Sequence, residues 1–502
     1  MSKRKQKRKR FRNRQKEQKQ QLNEQRRLEF AALVARLKPD RILYLPLDIG
    51  KNVHWMRAET GAGRIVHRPK DLLTDQAGYA YWRQCVFSWL TGGQFDLLVT
   101  GHEPTGIYHE NWCRHILMDF APYLAEGAHP QMLYRFINPY QSKLERQKLT
   151  LRPRNTDRLA LLAISNLLQQ GQGAPASLPD PNVALLHQYV FFTHQATRHL
   201  KAARIDINRQ FDRIWPGAVV NVKRFKKAHP DLPTPTPIVR TKPLERQSVR
   251  LLLQHCPNPY HVRDLGLEGI IDLFHRHGLR CGPLIAGRIL NCANNSLLSP
   301  LEIVDVYVQG LQQLLDDEAH WLQRQQWALQ NLETIVFDTP ARHLLSLRGL
   351  SSRWAAYYLD LVGYPPRFDW ADQVWAYVGF DTVLDQSGDD NPDKRFCISR
   401  HGAPFHRNVL SWMGILVASH HPIFGQTFIA AEERGMGIWG ATIHTAHKVH
   451  RTCFRLLLDN RPYRDNTHPD DFARWRAYWL AYRQHRRGPE EHPHPGPWRP
   501  SR

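Results

Sequence analysis

The stretch from Arg41 to about Leu168 constrains the fold most, because it breaks into apolar runs too short for core helices, separated by turn residues and by longer segments of helical spacing. Ile42–Leu47 reads as a short apolar strand. Val53–Ala58 and Arg64–His67, with glycine-bearing turns before each, read as a hairpin pair. Gln76–Leu90 carries helical spacing, Phe95–Thr100 is another strand, Tyr108–Asp119 a helix and Met132–Ile137 a last strand. A helix from Thr156 to about Leu168 closes the unit. Strands that alternate with helices only after the first three predict an α/β unit with a mixed sheet.

Three antiparallel strands followed by strand–helix alternation is the order of an RNase-H-like fold. A chain of 502 residues also exceeds one ordinary core, so further units are expected. Residues 183–213 and 301–335 read as long helices, and Val304, Val308, Leu311, Leu315, Leu322, Leu329 and Leu332 keep roughly heptad spacing in the second. They flank a Pro-rich stretch, Pro230 to Pro243, and suggest a helical hairpin or a dimerising coiled coil. Residues 340–465 read as a further helical unit. The expected class is α/β plus α: a basic arm (1–40), an RNase-H-like domain (41–175), a helical or coiled-coil region (176–339), a helical C-terminal domain (340–465) and a tail (466–502) disordered toward its Pro-, His- and Arg-rich end.

Charge narrows the partners. The net is +23, and residues 1–27 contribute thirteen Lys/Arg against two Glu. Such an excess favours a polyanion, since each phosphate neutralised releases condensed counterions. No run of 18 or more apolar residues predicts a membrane span, and the basic N-terminus lacks the apolar core of a signal peptide. The seven cysteines include no CxxC pair, which suits a reducing compartment. A cytoplasmic, nucleoid-associated protein that binds nucleic acid and no membrane is expected.

Three acids stand where strands end or a helix begins. Asp48 follows Leu45-Pro46-Leu47, Glu103 follows Val99-Thr100-Gly101-His102, and Asp157 follows Asn155-Thr156. Acids so placed can converge at one sheet edge and offer the oxygen ligands that Mg²⁺ needs. An acid after a strand is more often a plain turn residue; three in this order shift the balance.

These segments resemble a known family. Asp48-Ile49-Gly50-Lys51, then Glu103-Pro104-Thr105-Gly106-Ile107-Tyr108, then Asn138-Pro139 with Lys143, then Thr156-Asp157 are similar to the motifs of the DEDD transposases of insertion sequences, the IS-one-ten family, which includes pilin-gene invertases and bridge-RNA-guided recombinases. Farther on, Leu344–Gly349, Phe368-Asp369-Trp370 through Phe380, Gln386-Ser387-Gly388, and Ile398-Ser399-Arg400-His401-Gly402 with Arg407 resemble that family's C-terminal motifs. The resemblance implies a RuvC-like domain in which Asp48, Glu103 and Asp157 hold Mg²⁺, and a C-terminal domain in which Ser387 attacks DNA and forms a covalent phosphoserine. It implies donor and target DNA as partners, a homo-oligomer (dimer or tetramer) and, as in some members, a bridge or guide RNA. The family's fourth acid is absent: Ala160 stands three residues past Asp157, where a helix would bring an acid to the same face. The proline expected before the serine motif is also missing, with Asp381 or Thr382 near its place.

Basic residues would surround the chemistry. Lys143, Arg348 in a glycine turn like those offered to phosphate backbones, Arg400 and Arg407 are the candidate nucleic-acid contacts, with Lys394, Arg395 and His401 nearby. Arg400 and Arg407, seven apart, would share a face on a helix. His444, His447 and His450 form a stripe read as a surface or DNA-facing one. Cys256, His261, His277 and Cys281 lack the spacing of a standard zinc finger. The expected function is DNA transposition or site-specific recombination. Its rivals are a RuvC-like nuclease, which has no use for Ser387, and a decayed nucleic-acid-binding protein.

Overall fold

The computed structural model describes residues 28–104, 106–150, 156–178, 180–363, 368–384, 396–400, 402–488, 490–498 and 500. The chain divides into two compact units, Met1–Pro179 and Asp180–Arg502. The protein is mixed α/β with many helices. No helix among the described residues is long and apolar enough to cross a membrane.

The first unit holds a six-stranded sheet. Its strands are β1 (Ile42–Ile49), β2 (Val53–Thr60), β3 (Ile65–Leu73), β4 (Leu97–His102), β5 (Gln131–Phe136) and β6 (Ala174–Pro175), ordered β3-β2-β1-β4-β5-β6. β1 pairs antiparallel with β2 and β2 with β3, while β4 runs parallel to β1 and β5 parallel to β4. A central strand covered on both faces must be apolar throughout, and side-chain alternation sorts β1 accordingly. Leu43, Leu45 and Leu47 pack under α1 (Gln76–Thr91) and α2 (Glu110–Asp119), against Trp82, Val86 and Ile116. Ile42 and Tyr44 face the other way, against Ile164, Leu167 and Leu168. Those last residues belong to α4 (Asp157–Gln169), which follows α3 (Pro139–Thr150). Fully burying each such side chain stabilises by about 1.5–3 kcal/mol. Caps fix two helix starts: Asp75 accepts from the Gly78 N–H at 3.0 Å, and Thr156 from Leu159 N–H at 3.4 Å. The sequence reading missed α3, whose inward residues include polar Ser142 and Glu145 rather than an apolar stripe.

In the second unit α5 (Pro181–Ile214) and α10 (Leu301–Ile335) form an antiparallel hairpin within the chain, tied by Asn182 to Asp338, Thr197 to Gln325 and Gln210 to Tyr307. The buried stripe of α10 is Val304, Leu311, Glu318, Ala328 and Leu332. Leu322, expected in that stripe, is 37 % exposed, because the buried line passes through Glu318 instead. Glu318 takes Arg204 Nε at 2.6 Å and both Arg250 terminal nitrogens at 2.9 Å. Burial alone would raise its pKa, but these hydrogen bonds hold it below the usual carboxylate range. Between the long helices lie α6 (Val222–Ala228), α7 (Gln247–His255), α8 (Pro259–Arg276) and α9 (Pro283–Asn295). Around Trp215, Leu252, Phe274 and Ile289 they make a core of their own at one end of the hairpin.

The other end joins the C-terminal helices: α11 (Ser352–Val362), α12 (Ala371–Tyr377), α13 (Pro404–His420), α14 (Pro422–Glu432), α15 (Ile438–Leu458) and α16 (Pro469–Arg487). Leu186 and Leu332 share a core with Tyr358, Met413 and Val449. The coiled-coil region and the C-terminal helices therefore form one compact unit rather than two. A short hairpin, β7 (Thr382–Leu384) with β8 (Phe396–Ile398), interrupts the helices. The expected disorder toward the chain end stops short of Trp498, whose ring meets Trp475 of α16 edge-on at 5.0 Å, while Tyr478 donates to the Gly496 carbonyl at 2.8 Å. Aromatic contact outweighs what the polar composition implied.

Candidate active site

β1 ends at Ile49, and alternation sends Asp48 to the face that α4 covers. Glu103 is the first residue after β4, which runs parallel to β1 with Pro46 beside Gly101. Both strands therefore deliver their acids to one sheet edge. Asp157 is the first residue of α4, placed there by the Thr156 cap. Residues separated in sequence by 55 and then 54 positions thus come within electrostatic reach. Burial first, then Asp157 and Glu103, push the Asp48 carboxyl up to about 6, against the pull of Arg146.

Arg146, on α3, was not singled out by sequence reasoning. Its Nη1 donates to Glu103 Oε1 at 2.8 Å, with the two side chains 18 % and 12 % exposed. No motif marks it; its spacing of one turn from Lys143 was a signal only once α3 was known. Lys143 itself is exposed. Ala160 is 3 % exposed, packed inward beside Leu159 and Leu161.

The oxygen donors suit a hard cation such as Mg²⁺ in kind. Their arrangement does not close around one point: among the described residues no three His, Cys, Asp or Glu side chains form a group that could hold a metal ion. Glu103 is engaged by a guanidinium instead.

The second unit distributes its predicted residues differently. Ser387, with Gln386, Gly388, Lys394, Arg395 and His401, lies outside the described residues, as does Asn155. At the base of the hairpin that brackets this segment, Ser399 donates its hydroxyl to Asp381. Arg400 adopts a left-handed φ of 56° ahead of α13, so it and Arg407 do not share a helical face. Pro404 at the first helical position explains why the helix starts only there. Arg407 Nη1 donates to the Val378 carbonyl at 3.0 Å and to that of Gly402. Arg348 is exposed, with its guanidinium 3.9 Å from the Phe472 ring centre. The neighbouring glycine serves internal packing: Gly349 has φ 100°, and a Cβ there would lie 2.7 Å from the Leu416 carbonyl of α13.

The histidine stripe runs from surface to core rather than along the surface. His444 is exposed, His447 approaches Asp372 at 3.4 Å, and His450 is fully buried. The Ala371 carbonyl, 2.7 Å from His450 Nε2, can only accept, so Nε2 carries the proton and Nδ1 accepts from the Tyr358 hydroxyl at 2.8 Å. Burial holds the imidazole down to about 4. Of the cysteine–histidine group, Cys256 and Cys281 are buried, while His277 stacks on His255 at 3.6 Å.

Sequence reasoning also missed Asp360, a lone acid in the apolar run Tyr357-Tyr358-Leu359-Asp360-Leu361-Val362; that isolation was the available signal. It pairs with His187 of α5, and His406 Nε2 of α13 lies 3.7 Å away. Burial opposes its charge, but the two imidazoles bring its pKa below the usual carboxylate range.

Compared with models of protein families, the chain matches none, and no curated protein matches it either.

Proposed function

We propose that this protein is a metal-dependent DNA recombinase of the insertion-sequence transposase kind. The observation that carries the reading is the approach of Asp48, Glu103 and Asp157 at one sheet edge, close enough for the latter two to oppose the ionisation of the first. The strand order supports an RNase-H-like reading of the first unit, with its antiparallel β1–β3 and parallel β4 and β5. The net charge of +23 supports a nucleic-acid partner.

In this reading Asp48, Glu103 and Asp157 hold Mg²⁺, which, when bound, polarises the scissile phosphate and activates the attacking hydroxyl. Ser387 Oγ attacks phosphorus, forming a serine–phosphate ester and breaking the bond to one deoxyribose oxygen, which leaves with a proton as a hydroxyl. A hydroxyl of the new partner strand then attacks the same phosphorus and regenerates the serine. The ester conserves the phosphodiester's energy, so rejoining needs no outside source. Lys143, Arg348 and Arg400 are placed to meet phosphates, being exposed. The assembly is a homo-oligomer on donor and target DNA, with a guide RNA as a further partner.

The test is recombination between plasmids by the parent, Asp48→Ala and Ser387→Ala, with peptide mapping of any DNA-bearing residue. Both variants should lose recombination by at least about a hundredfold, the scale on which removing one catalytic group acts. Strand cleavage that survives in Ser387→Ala identifies a water-using nuclease. The buried alanine at the fourth-acid position favours a second reading, a nucleic-acid-binding protein without catalysis. That reading requires the parent to bind DNA yet leave it uncut with Mg²⁺ present.

A further inference from the structure

We propose that Arg146 is a built-in counter-cation of the acid edge, which a divalent cation must displace in order to bind. The inference rests on reading Asp48, Glu103 and Asp157 as the metal-holding acids, and it names what controls their occupancy.

Three carboxylates gathered at a half-buried edge repel one another, and the repulsion grows as solvent is excluded. Some cation has to offset it. In the structure that cation is a guanidinium: Arg146 Nη1 sits 2.8 Å from Glu103 Oε1, and both side chains are largely withdrawn from water. Its field also reaches Asp48, where it is the named influence opposing the other two acids. Arg146 therefore touches one acid and acts on another from within the cluster. Because the Glu103 oxygen is already used, the three acids do not close on a common point.

An arginine that merely positioned a ligand would sit behind it and leave its inner face open; removing it would weaken metal binding. An arginine that substitutes for the metal competes for the same oxygen, and removing it strengthens binding. The sign separates the two roles. Asp157, at the exposed N-terminus of α4, leaves a route for the ion. Once displaced, the guanidinium offers a planar donor fork matched to a phosphate. Metal entry and phosphate capture would then be coupled through one side chain.

The experiment titrates the full-length parent, Arg146→Gln, Arg146→Lys and the double variant Asp48→Asn/Arg146→Gln with Mn²⁺ alone, reading bound ion by electron paramagnetic resonance and folding by thermal denaturation. Arg146→Gln should bind Mn²⁺ about tenfold tighter than the parent, on the scale of one charge–charge contact near the surface. Arg146→Lys should fall between the two, since an ammonium pairs less well with a carboxylate than the planar fork does. The double variant should lose the gain. Equal or weaker binding by Arg146→Gln overturns the proposal while leaving the acids as a metal site. If the glutamine variant does not fold, the order of lysine variant and parent decides the same question. No Mn²⁺ bound by any of the proteins overturns the metal reading and this inference with it.

Discussion

The acid edge of the first unit and the motif cluster of the second use polar residues in opposite ways. At the acid edge, Asp48 and its neighbours work against folding: a carboxyl is partly buried beside two others, and its pKa rises to about 6. In the C-terminal helices the motif residues work for it. Arg407 binds two backbone carbonyls, His450 satisfies a tyrosine and a carbonyl in the core, and Gly349 admits a neighbouring helix. Strain kept at an uncompensated cluster is what a ligand can relieve. Satisfied groups have no such need, so similar motif density in two regions can mark different jobs.

The sharpest way to break this comparison is to delete one polar group from each side. His450→Ala should destabilise the protein by about 3 kcal/mol or more in chemical denaturation, since it opens a cavity and leaves the Tyr358 hydroxyl and Ala371 carbonyl without their partner. Asp48→Asn should do the reverse at neutral pH. A loss of stability in Asp48→Asn would dissolve the contrast.

The pH dependence should differ in sign as well. The folded pKa of Asp48 lies above its unfolded value, so its favourable contribution is present below about pH 4 and lost as pH rises through about 6. Asp48→Asn should therefore gain roughly 1–3 kcal/mol over the parent at pH 7 and nothing at pH 4. His450 has the opposite shift, down to about 4. Its contribution is present above the ordinary histidine range and lost as pH falls toward 4, so the deficit of a His450→Gln variant should narrow from pH 7 to pH 4. Parallel pH profiles for the two variants would contradict the assignment.

Two smaller effects sharpen the picture. Arg407→Ala should cost roughly 1–3 kcal/mol of stability, because two carbonyls lose a charged donor. Arg348→Ala should cost less than about 1 kcal/mol, the worth of an exposed cation–ring contact on Phe472. If Arg348 meets a phosphate, the same variant should weaken DNA binding uniformly across sequences and lower the salt slope by roughly 1. Unchanged DNA affinity would leave it as a packing residue only.

Local pattern carried much of this protein. Strand β1 was legible because a doubly covered strand must be apolar from end to end, and the hairpin after it because glycine turns divide short apolar runs. The long helices were legible from their periodicity, which the α5–α10 hairpin uses. Helix α3 was not, since its buried positions include a serine and a glutamate, and periodicity detects only apolar faces. The strand-end positions of Asp48 and Glu103 and the helix-start position of Asp157 were written in the sequence. Their approach to one another was decided by parallel pairing of β1 with β4 and by the seat of α4, contacts between residues far apart in the chain. The partner of Glu103, the seat of His450 and the fate of Arg407 were settled the same way. Each depends on which donor and acceptor meet once the cores have closed, and a side chain's type does not say which neighbour will reach it.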